Sequence, residues 1–182
     1  VFKTSSGKKS LGNQVDSYKI TGMIIGKEMI ISSEDRNFGS SAGNWNIVNY
    51  GTSNANFTWE SSNIGGHTGT GKWTTGSIAG DYYANLFPIF INNLTPNTNY
   101  NFSFNFYIPS GTTNTILRAF VYPNSTNEIL TFNATNIPVN TWVAYSGIFN
   151  SGGGNSLRLA PHIYSSNPGE NFYIDDVSVK EF

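Results

Sequence analysis

The clearest pattern in the chain is a strict alternation of aromatic and polar residues in the segment TNYNFSFNFYIP, which begins at Thr98. Because successive side chains of a strand point to opposite faces, this alternation predicts a strand with one buried and one polar face. Turn-forming sequences, LTPNT before the segment and PSGTTN after it, bound the strand. The positions on the predicted buried face are Tyr100, Phe102, Phe104, Phe106 and Ile108.

Shorter runs of strand type occur at fairly regular intervals, with turn signals between them. They cover residues 82–91, 116–122, 129–134, 142–149, 157–164 and 172–179. The sequence shows no amphipathic pattern of helical period and useful length. Many short strands of this kind predict an all-β fold, and we expect a β-sandwich jelly roll of two antiparallel sheets.

The first 33 residues differ in character from the rest. KTSSGKKSLGNQ is polar and basic, whereas YKITGMIIGKEMIIS is apolar and interrupted by glycine. We place a boundary near Ser33, with residues 1–33 as an N-terminal extension, linker or assembly arm and residues 34–182 as the sandwich domain. The alternative, equally open from the sequence, is that the first segment supplies a strand or two of the same sandwich.

Composition supports the all-β prediction and excludes several classes of function. Aromatic residues make up 15% of the chain and there are 19 glycines. Only 12% of the residues are charged and the net charge is −1, so the basic field that holds nucleic acid is absent and no nucleic-acid partner is expected. The chain has no cysteine, which excludes disulfides and thiol nucleophiles. No run approaches the roughly 20 apolar residues that span a bilayer, so no membrane insertion is expected.

Two short motifs match enzyme patterns but lack their context. GHTGTGK, residues 66–72, has the spacing of a phosphate-binding loop, yet Trp73 follows where a magnesium-binding hydroxyl belongs. This stretch predicts a glycine-rich turn. GSSAG, residues 39–43, matches the nucleophile elbow but has no hydrophobic strand before it and no helix after it. No pair of carboxylates stands out for glycoside hydrolysis, and we expect a non-catalytic protein.

The closing segment, NFYIDDVSVKEF, carries two adjacent carboxylates inside an apolar strand. Period-two alternation places Asp175 on the same face as Val177 and Val179. A carboxylate turned toward a core is costly unless a cation, a metal ion or a ring of hydrogen-bond donors compensates it. The sequence therefore predicts a compensating group at Asp175 and leaves its identity open.

Four segments together resemble the carbohydrate-binding modules of families 4 and 9 and their relatives. They are DRNFGSSAGNW, GGHTGTGKW, LTPNTNYNFSFNFYIPSG and ENFYIDDVSV, and they occur in the order of that family. The resemblance covers residues 35–182 and implies a β-sandwich jelly roll. Domains of bacteriophage tail and fibre proteins resemble the same pattern, often opening with a phrase like SEDRNF, which here is residues 33–38.

The resemblance implies a structural calcium ion. In the family the first acid of the closing motif, here Asp175, is usually a ligand, and calcium takes six to eight oxygen ligands. Gly39 stands where the family commonly has a glutamate, so Asp35 is the candidate substitute ligand. The alternative is that Asp175 lies at the strand edge and accepts hydrogen bonds from the backbone or from a lysine.

The resemblance also implies a sugar site on the concave face of one sheet. Sugars stack their C–H faces on aromatic rings and pair their hydroxyls with planar polar groups. On the predicted strand SLRLAPHIYS, alternation places three such residues on the face away from the core. The candidate ligand-binding residues are Arg158, His162 and Tyr164, with Arg118 and Tyr122 on ILRAFVY, and with Tyr82, Tyr83 and Trp73 as stacking platforms.

We therefore expect a glycan-binding module that recognises an oligosaccharide or polysaccharide by stacking and hydrogen bonding, located extracellularly, at a cell surface or on a virion. The alternative is a structural or receptor-binding module of a phage virion or fibre, in which residues 1–33 mediate self-association or attachment to a larger assembly.

Overall fold

The computed structural model describes residues 26–49, 55–76, 84–87, 91–112, 116–123, 129–134, 136–164 and 167–182. Regular structure in these ranges is almost entirely β-strand. One short helix, α1 (Ser33–Asn37), precedes the strands. The strands are β1 (Asn46–Asn49), β2 (Asn56–Ile64), β3 (His67–Thr74), β4 (Ala84–Phe87), β5 (Ile91–Asn92), β6 (Asn99–Tyr107), β7 (Ile116–Pro123), β8 (Ile129–Ala134), β9 (Trp142–Asn150), β10 (Ser156–Tyr164) and β11 (Asn171–Glu181).

The strands form two sheets that enclose one core. The six-stranded sheet has the order β1-β4-β10-β7-β8, with β5 also paired to β10. The five-stranded sheet has the order β2-β3-β11-β6-β9. All ladders between these strands are antiparallel. This arrangement confirms the predicted β-sandwich jelly roll. Among the described residues, no helix is long and apolar enough to cross a membrane.

Strand β6 confirms the alternation from which the fold was predicted. All five positions of its predicted buried face are at most 2% exposed, whereas Ser103, Asn105 and Tyr107 on the other face are partly exposed. Full burial of a large apolar side chain stabilises a fold by roughly 1.5–3 kcal/mol. The aromatic face of β6 is therefore a main source of core stability, and its polar face forms part of the outer surface of the five-stranded sheet.

The glycine-rich stretch at residues 66–72 is a strand and not the predicted turn. Only Gly65 and Gly66 form a turn, and β3 begins at His67. At Gly71 a Cβ atom would lie 2.5 Å from the Phe57 ring and 2.9 Å from the Ile174 side chain. Glycine is needed there because the core packs directly against the backbone. The prediction failed because a glycine that permits close packing looks the same in sequence as one that permits a turn.

Strand β11 contains a β-bulge at its two acids. Asp175 lies opposite Asn105 and Ser178 lies opposite Ser103, so three steps along β11 match two steps along β6. The inserted residue is absorbed at Asp176, whose φ of 52° lies in the left-handed region that non-glycine residues seldom occupy.

The bulge overturns the predicted orientation of Asp175. Before it the core-facing residue is Ile174, and after it the core-facing residues are Val177 and Val179, so the buried face changes from even to odd positions. Asp175 lies opposite Asn105, on the outer face of the five-stranded sheet. The prediction that it shares a face with the two valines is wrong, because period two does not hold across a bulge.

The described part of the N-terminal segment packs against β11. The Met29 backbone N–H donates to the Val179 carbonyl at 2.8 Å. The Glu28 carboxylate accepts from the Val179 N–H and from the Ser178 hydroxyl. Met29 and Ile30 are buried in the core. Residues 28–30 thus contribute to the sandwich, and residues 1–25 of the predicted extension lie outside the described ranges.

Candidate functional site

The candidate sugar-binding residues on β10 and β7 occupy adjacent register positions. The cross-strand pairs are Arg158 with Tyr122, His162 with Arg118, and Tyr164 with Ile116. Leu157 is fully buried in the core, so the next residue, Arg158, lies on the face away from the core, where it is half-buried. The two strands therefore bring five of the predicted residues together on one part of the six-stranded sheet.

Strand β4 adds a residue that the sequence analysis did not select. Asn85 lies opposite His162 on the side of β10 away from β7. An amide at this register position extends the row of polar residues across three strands. Tyr82 and Tyr83, the predicted stacking platforms that precede β4, lie outside the described residues.

Trp73 does not lie on this surface. It is 2% exposed and belongs to the core, with its backbone opposite Phe172 on β11 and Phe57 on β2. The prediction that its ring offers a stacking platform is wrong, because the ring is enclosed between the two sheets. Trp73 follows a stretch with few apolar residues, so no hydrophobic pattern marks it as a core position.

A second group of polar side chains surrounds Asp175 on the five-stranded sheet. Asp175 is 6% exposed, and its Oδ2 lies 2.6 Å from Nδ1 of His67. Its Oδ1 accepts a hydrogen bond from the Asp176 backbone N–H at 2.8 Å. Burial raises the pKa of the Asp175 carboxyl, while the hydrogen bonds from His67 and from the Asp176 backbone act to lower that pKa. His67 is thus the compensating group whose identity the sequence left open.

The His67 ring is held by neighbouring aromatic residues. Its centroid lies 4.4 Å from that of Trp142, with an angle of 32° between the ring planes. The Trp142 indole N–H donates to the Ile64 carbonyl at 2.7 Å, and the Trp142 ring also contacts Tyr107. The hairpin between β2 and β3 is thereby fastened to β9. His67 was not among the residues predicted for a site. The clue that could have identified it is that a buried acid needs a hydrogen-bond donor and the chain has only two histidines.

Asp176 brings a second carboxylate to the same place. One oxygen of each aspartate and one nitrogen of His67 all lie within 4.8 Å of one another. Asp176 is exposed, and its Oδ2 accepts a hydrogen bond from the Asn105 amide at 2.7 Å. In a regular strand two adjacent side chains would point to opposite faces. The bulge is what allows both acids to approach His67.

Asp35, the other predicted calcium ligand, lies in a different environment. It is 1% exposed, and both of its carboxylate oxygens accept hydrogen bonds from Asn44, including one from the Asn44 backbone N–H at 2.5 Å. The Asp35 backbone N–H donates to the hydroxyl of Ser32, the N-cap of α1, at 3.3 Å. Gly43, with φ of +60°, packs so closely that a Cβ atom there would overlap the carboxylate.

These contacts do not assemble the predicted pair of calcium ligands. Asp35 is absent from the cluster that His67, Asp175 and Asp176 form within the described residues. The Asp35 carboxylate already has its donors. The cluster at Asp175 includes an imidazole nitrogen, whereas calcium sites are built from oxygen atoms. Calcium binding at Asp175 stays a prediction.

Comparison with known proteins gives matches at the level of structure. No protein-family model and no curated protein matches the chain. The CBM22-1 xylan-binding domain of Paenibacillus barcinonensis Xyn10C superposes with a TM-score of 0.57 at 13% identity, over 86% of this chain and 95% of that domain. The C-terminal family 22 module of Clostridium thermocellum Xyn10B gives 0.60 at 15% identity, over 80% and 91%. The enzymatically active domain of bacteriophage CBA120 tailspike protein 4 gives 0.59 at 19% identity, over 83% of this chain and 21% of that one.

These similarities establish the fold that the chain shares with carbohydrate-binding modules. Several of the matched modules are of family 22, whereas the sequence motifs pointed to families 4 and 9. At identities below one fifth, the shared feature is the β-sandwich itself. The chain therefore has the β-sandwich fold of carbohydrate-binding modules.

Proposed function

We propose that this protein is a non-catalytic module that binds a polysaccharide or cell-surface glycan on the outer face of its six-stranded sheet. The observation that carries the proposal is the register of β10 and β7, in which Arg158 lies opposite Tyr122 and His162 opposite Arg118. Arginine, histidine and tyrosine are the residue types that combine planar hydrogen bonding with ring surfaces.

A row of such residues suits a sugar chain better than a compact ligand. Each pyranose ring presents an apolar face and paired hydroxyls, so recognition needs alternate aromatic and hydrogen-bonding positions over several residues. The pairs on β10 and β7, with Asn85 on β4, extend over that distance. Few contacts per sugar unit imply weak binding, and we expect dissociation constants of roughly micromolar to millimolar.

The shared fold suggests the first ligand to test. Matched structures include xylan-binding domains, and one contains the CBM22-1 module of Clostridium thermocellum Xyn10B in a complex with xylohexaose. Xylohexaose is therefore the first probe, followed by a glycan array. A polysaccharide ligand would place the module outside the cell, at a cell surface or on a virion.

Isothermal titration calorimetry with xylohexaose and array hits tests this proposal. The titration compares three proteins: the parent chain, the double variant Arg158→Ala/His162→Ala and the matched control Arg36→Ala on α1. Circular dichroism first shows that each is folded. We expect binding by the parent and the control and loss of binding in the double variant. Binding that survives in the double variant, or no binding of any glycan by the parent, would refute the proposed site or the proposed function.

A second candidate function is a structural or receptor-binding module of a phage virion or fibre. The similarity to tailspike protein 4 of bacteriophage CBA120 favours it. In this case residues 1–33 contribute to self-association. Because Met29 and Ile30 are part of the core, the variant that tests this role should lack residues 1–25 only. A trimeric or higher mass by light scattering for the full chain, lost in that variant, supports assembly; a monomeric full chain contradicts it.

A further inference from the structure

We propose that His67, Asp175 and Asp176 form a binding site for a divalent transition-metal ion of the zinc type. The proposal rests on the convergence of one imidazole nitrogen and two carboxylate oxygens within 4.8 Å of one another. It goes beyond the proposed glycan site, which lies on the other sheet. It shares Asp175 with the predicted calcium site, but it has His67 and Asp176 in place of Asp35 and binds a different class of ion.

The donor atoms select the class of metal. Calcium and magnesium are bound by oxygen ligands, whereas zinc, cobalt and nickel accept imidazole nitrogen together with carboxylate oxygen. A set of one histidine and two aspartates gives the ion two negative charges and one neutral nitrogen. These three groups leave at least one position of a tetrahedral ion for water or another ligand.

The distances require only a small adjustment on binding. His67 Nδ1 and Asp175 Oδ2 are 2.6 Å apart, joined by a hydrogen bond. Around a tetrahedral zinc ion with bonds of about 2.0–2.1 Å, two ligand atoms lie about 3.3 Å apart. Replacing the shared proton with the ion therefore needs this pair of atoms to separate by about 0.7 Å. The Asp176 oxygen, within 4.8 Å of both, would approach them by up to about 1.5 Å, and side-chain rotation can supply both shifts.

The ligands are also held in place by their neighbours. Stacking on Trp142 restricts the His67 ring, and the Asn105 amide donates to Oδ2 of Asp176. Such contacts to ligating groups orient them and strengthen metal binding. The left-handed backbone of Asp176 is a conformation that glycine, asparagine and aspartate tolerate better than other residues do. The bulge holds the carboxylate of Asp176 near His67, so this backbone conformation brings a third ligand to the site.

The site is accessible while its central carboxylate is shielded. Asp176 is exposed and the His67 side chain is 28% exposed, whereas the Asp175 side chain is 8% exposed. An ion can therefore enter from solvent and meet a carboxylate that has lost most of its hydration. The charge of the ion would compensate that loss more fully than the hydrogen bonds from His67 and from the Asp176 backbone N–H do.

Titration of Zn²⁺ into the chelator-treated full chain, followed by calorimetry, tests the proposal. We expect one ion per chain, with affinity reduced about tenfold or more by His67→Gln and by Asp176→Asn. Two matched controls address other metal-binding side chains: His162→Gln removes the other histidine, and Glu181→Gln removes an exposed carboxylate of the same strand. Both controls should bind as the parent does. Equal Zn²⁺ affinity in all five proteins, or no saturable binding, overturns the proposal.

Fluorescence provides a second readout that locates the ion. Ni²⁺ and Cu²⁺ quench nearby indole rings, and the Trp142 ring stacks on the His67 ring. We expect saturable quenching that is lost in Trp142→Phe while the other three tryptophans still emit. Quenching that is unchanged in this variant places the ion elsewhere and refutes the site. Ca²⁺ that binds more tightly than Zn²⁺ and is insensitive to His67→Gln would refute the proposed class of metal.

Discussion

Two buried carboxylates of this sandwich, Asp35 and Asp175, are compensated in opposite ways. Asp35, in the short helix α1, accepts side-chain hydrogen bonds from the backbone N–H and amide of Asn44, nine positions later in the chain. Asp175, at the bulge of β11, is paired with His67, which lies 108 positions earlier. One contact is local and uses neutral donors. The other is long-range and uses a ring that can itself be charged.

The two carboxylates therefore differ in whether they can bind a further group. The Asp35 carboxylate is 1% exposed and both of its oxygens are occupied by donors, so its role is to fix the loop between α1 and β1. The carboxylate of Asp175 borders an exposed acid and a partly exposed imidazole. A buried acid with local donors is a structural element, whereas a buried acid at the edge of a titratable cluster is available for binding.

The largest effect is expected from Asp35→Ala. This change removes a buried carboxylate that accepts three hydrogen bonds from Asn44, and we expect a loss of about 3 kcal/mol in the free energy of unfolding. Urea denaturation measures it, with Asn37→Ala as a control at an exposed position of the same helix. A loss no larger than that of the control would show that the Asn44 contacts contribute little.

A smaller loss is expected from His67→Ala. Asp175 then keeps only the hydrogen bond from the Asp176 backbone, and we expect a loss of about 2 kcal/mol. Because the His67 hydrogen bond lowers the Asp175 pKa against the effect of burial, the variant should show a still higher Asp175 pKa by carboxyl-detected NMR. An unchanged or lower pKa would mean that His67 does not stabilise the ionised form.

The smallest effect is expected at a third carboxylate, Glu60, which is partly exposed. The hydroxyl and backbone N–H of Ser62, followed by Lys72, lower its pKa from 4.5 to about 2. A lowered folded-state pKa gives stability that is fully present above about pH 4.5 and is lost as the pH falls toward about 2. For a pair near the surface we expect at most about 1 kcal/mol.

Glu60→Gln checks this prediction. Its unfolding free energy should be slightly below that of the parent at pH 7, and the two curves should converge as the pH is lowered from about 4.5 to about 2. A constant difference across this range would mean that the carboxylate is not the source of the effect. The losses in unfolding free energy of the three variants rank three contributions: a buried acid with local donors, a long-range pair and a surface pair.

The fold was largely predictable because most strands keep period two. On β6 every predicted core residue is buried, and the strand predicted at residues 129–134 coincides with the observed β8 (Ile129–Ala134). The failures have local causes. At Gly71 the backbone itself packs against Phe57, and at Asp176 one inserted residue reverses the buried face of β11. Neither a close packing contact nor a bulge leaves a periodic signal in the sequence.

The candidate sites were predictable to different degrees. Arg158 and His162 are four residues apart on one strand, so alternation predicts that they share a face, and the ladder with β7 places them opposite Tyr122 and Arg118. The partner of Asp175 could not be identified, because the pairing of β11 with β3 determines which distant residue approaches it. Local periodicity predicts faces of strands, and only the topology determines neighbours across a sheet.

The contact between residues 28–30 and β11 has a mechanical consequence. Glu28 and Lys180 form an antiparallel bridge, so Gly26 and Phe182 lie at the same end of this short ladder. Tension that pulls these two residues apart acts across the hydrogen bonds and not along the strands. The hydrogen bonds of this ladder would then break one at a time. The burial of Met29 and Ile30 in the core would oppose their separation from β11. In a protein tethered at these two points, residues 28–30 would detach from β11 first, at low force. The remaining strands of the sandwich would stay paired.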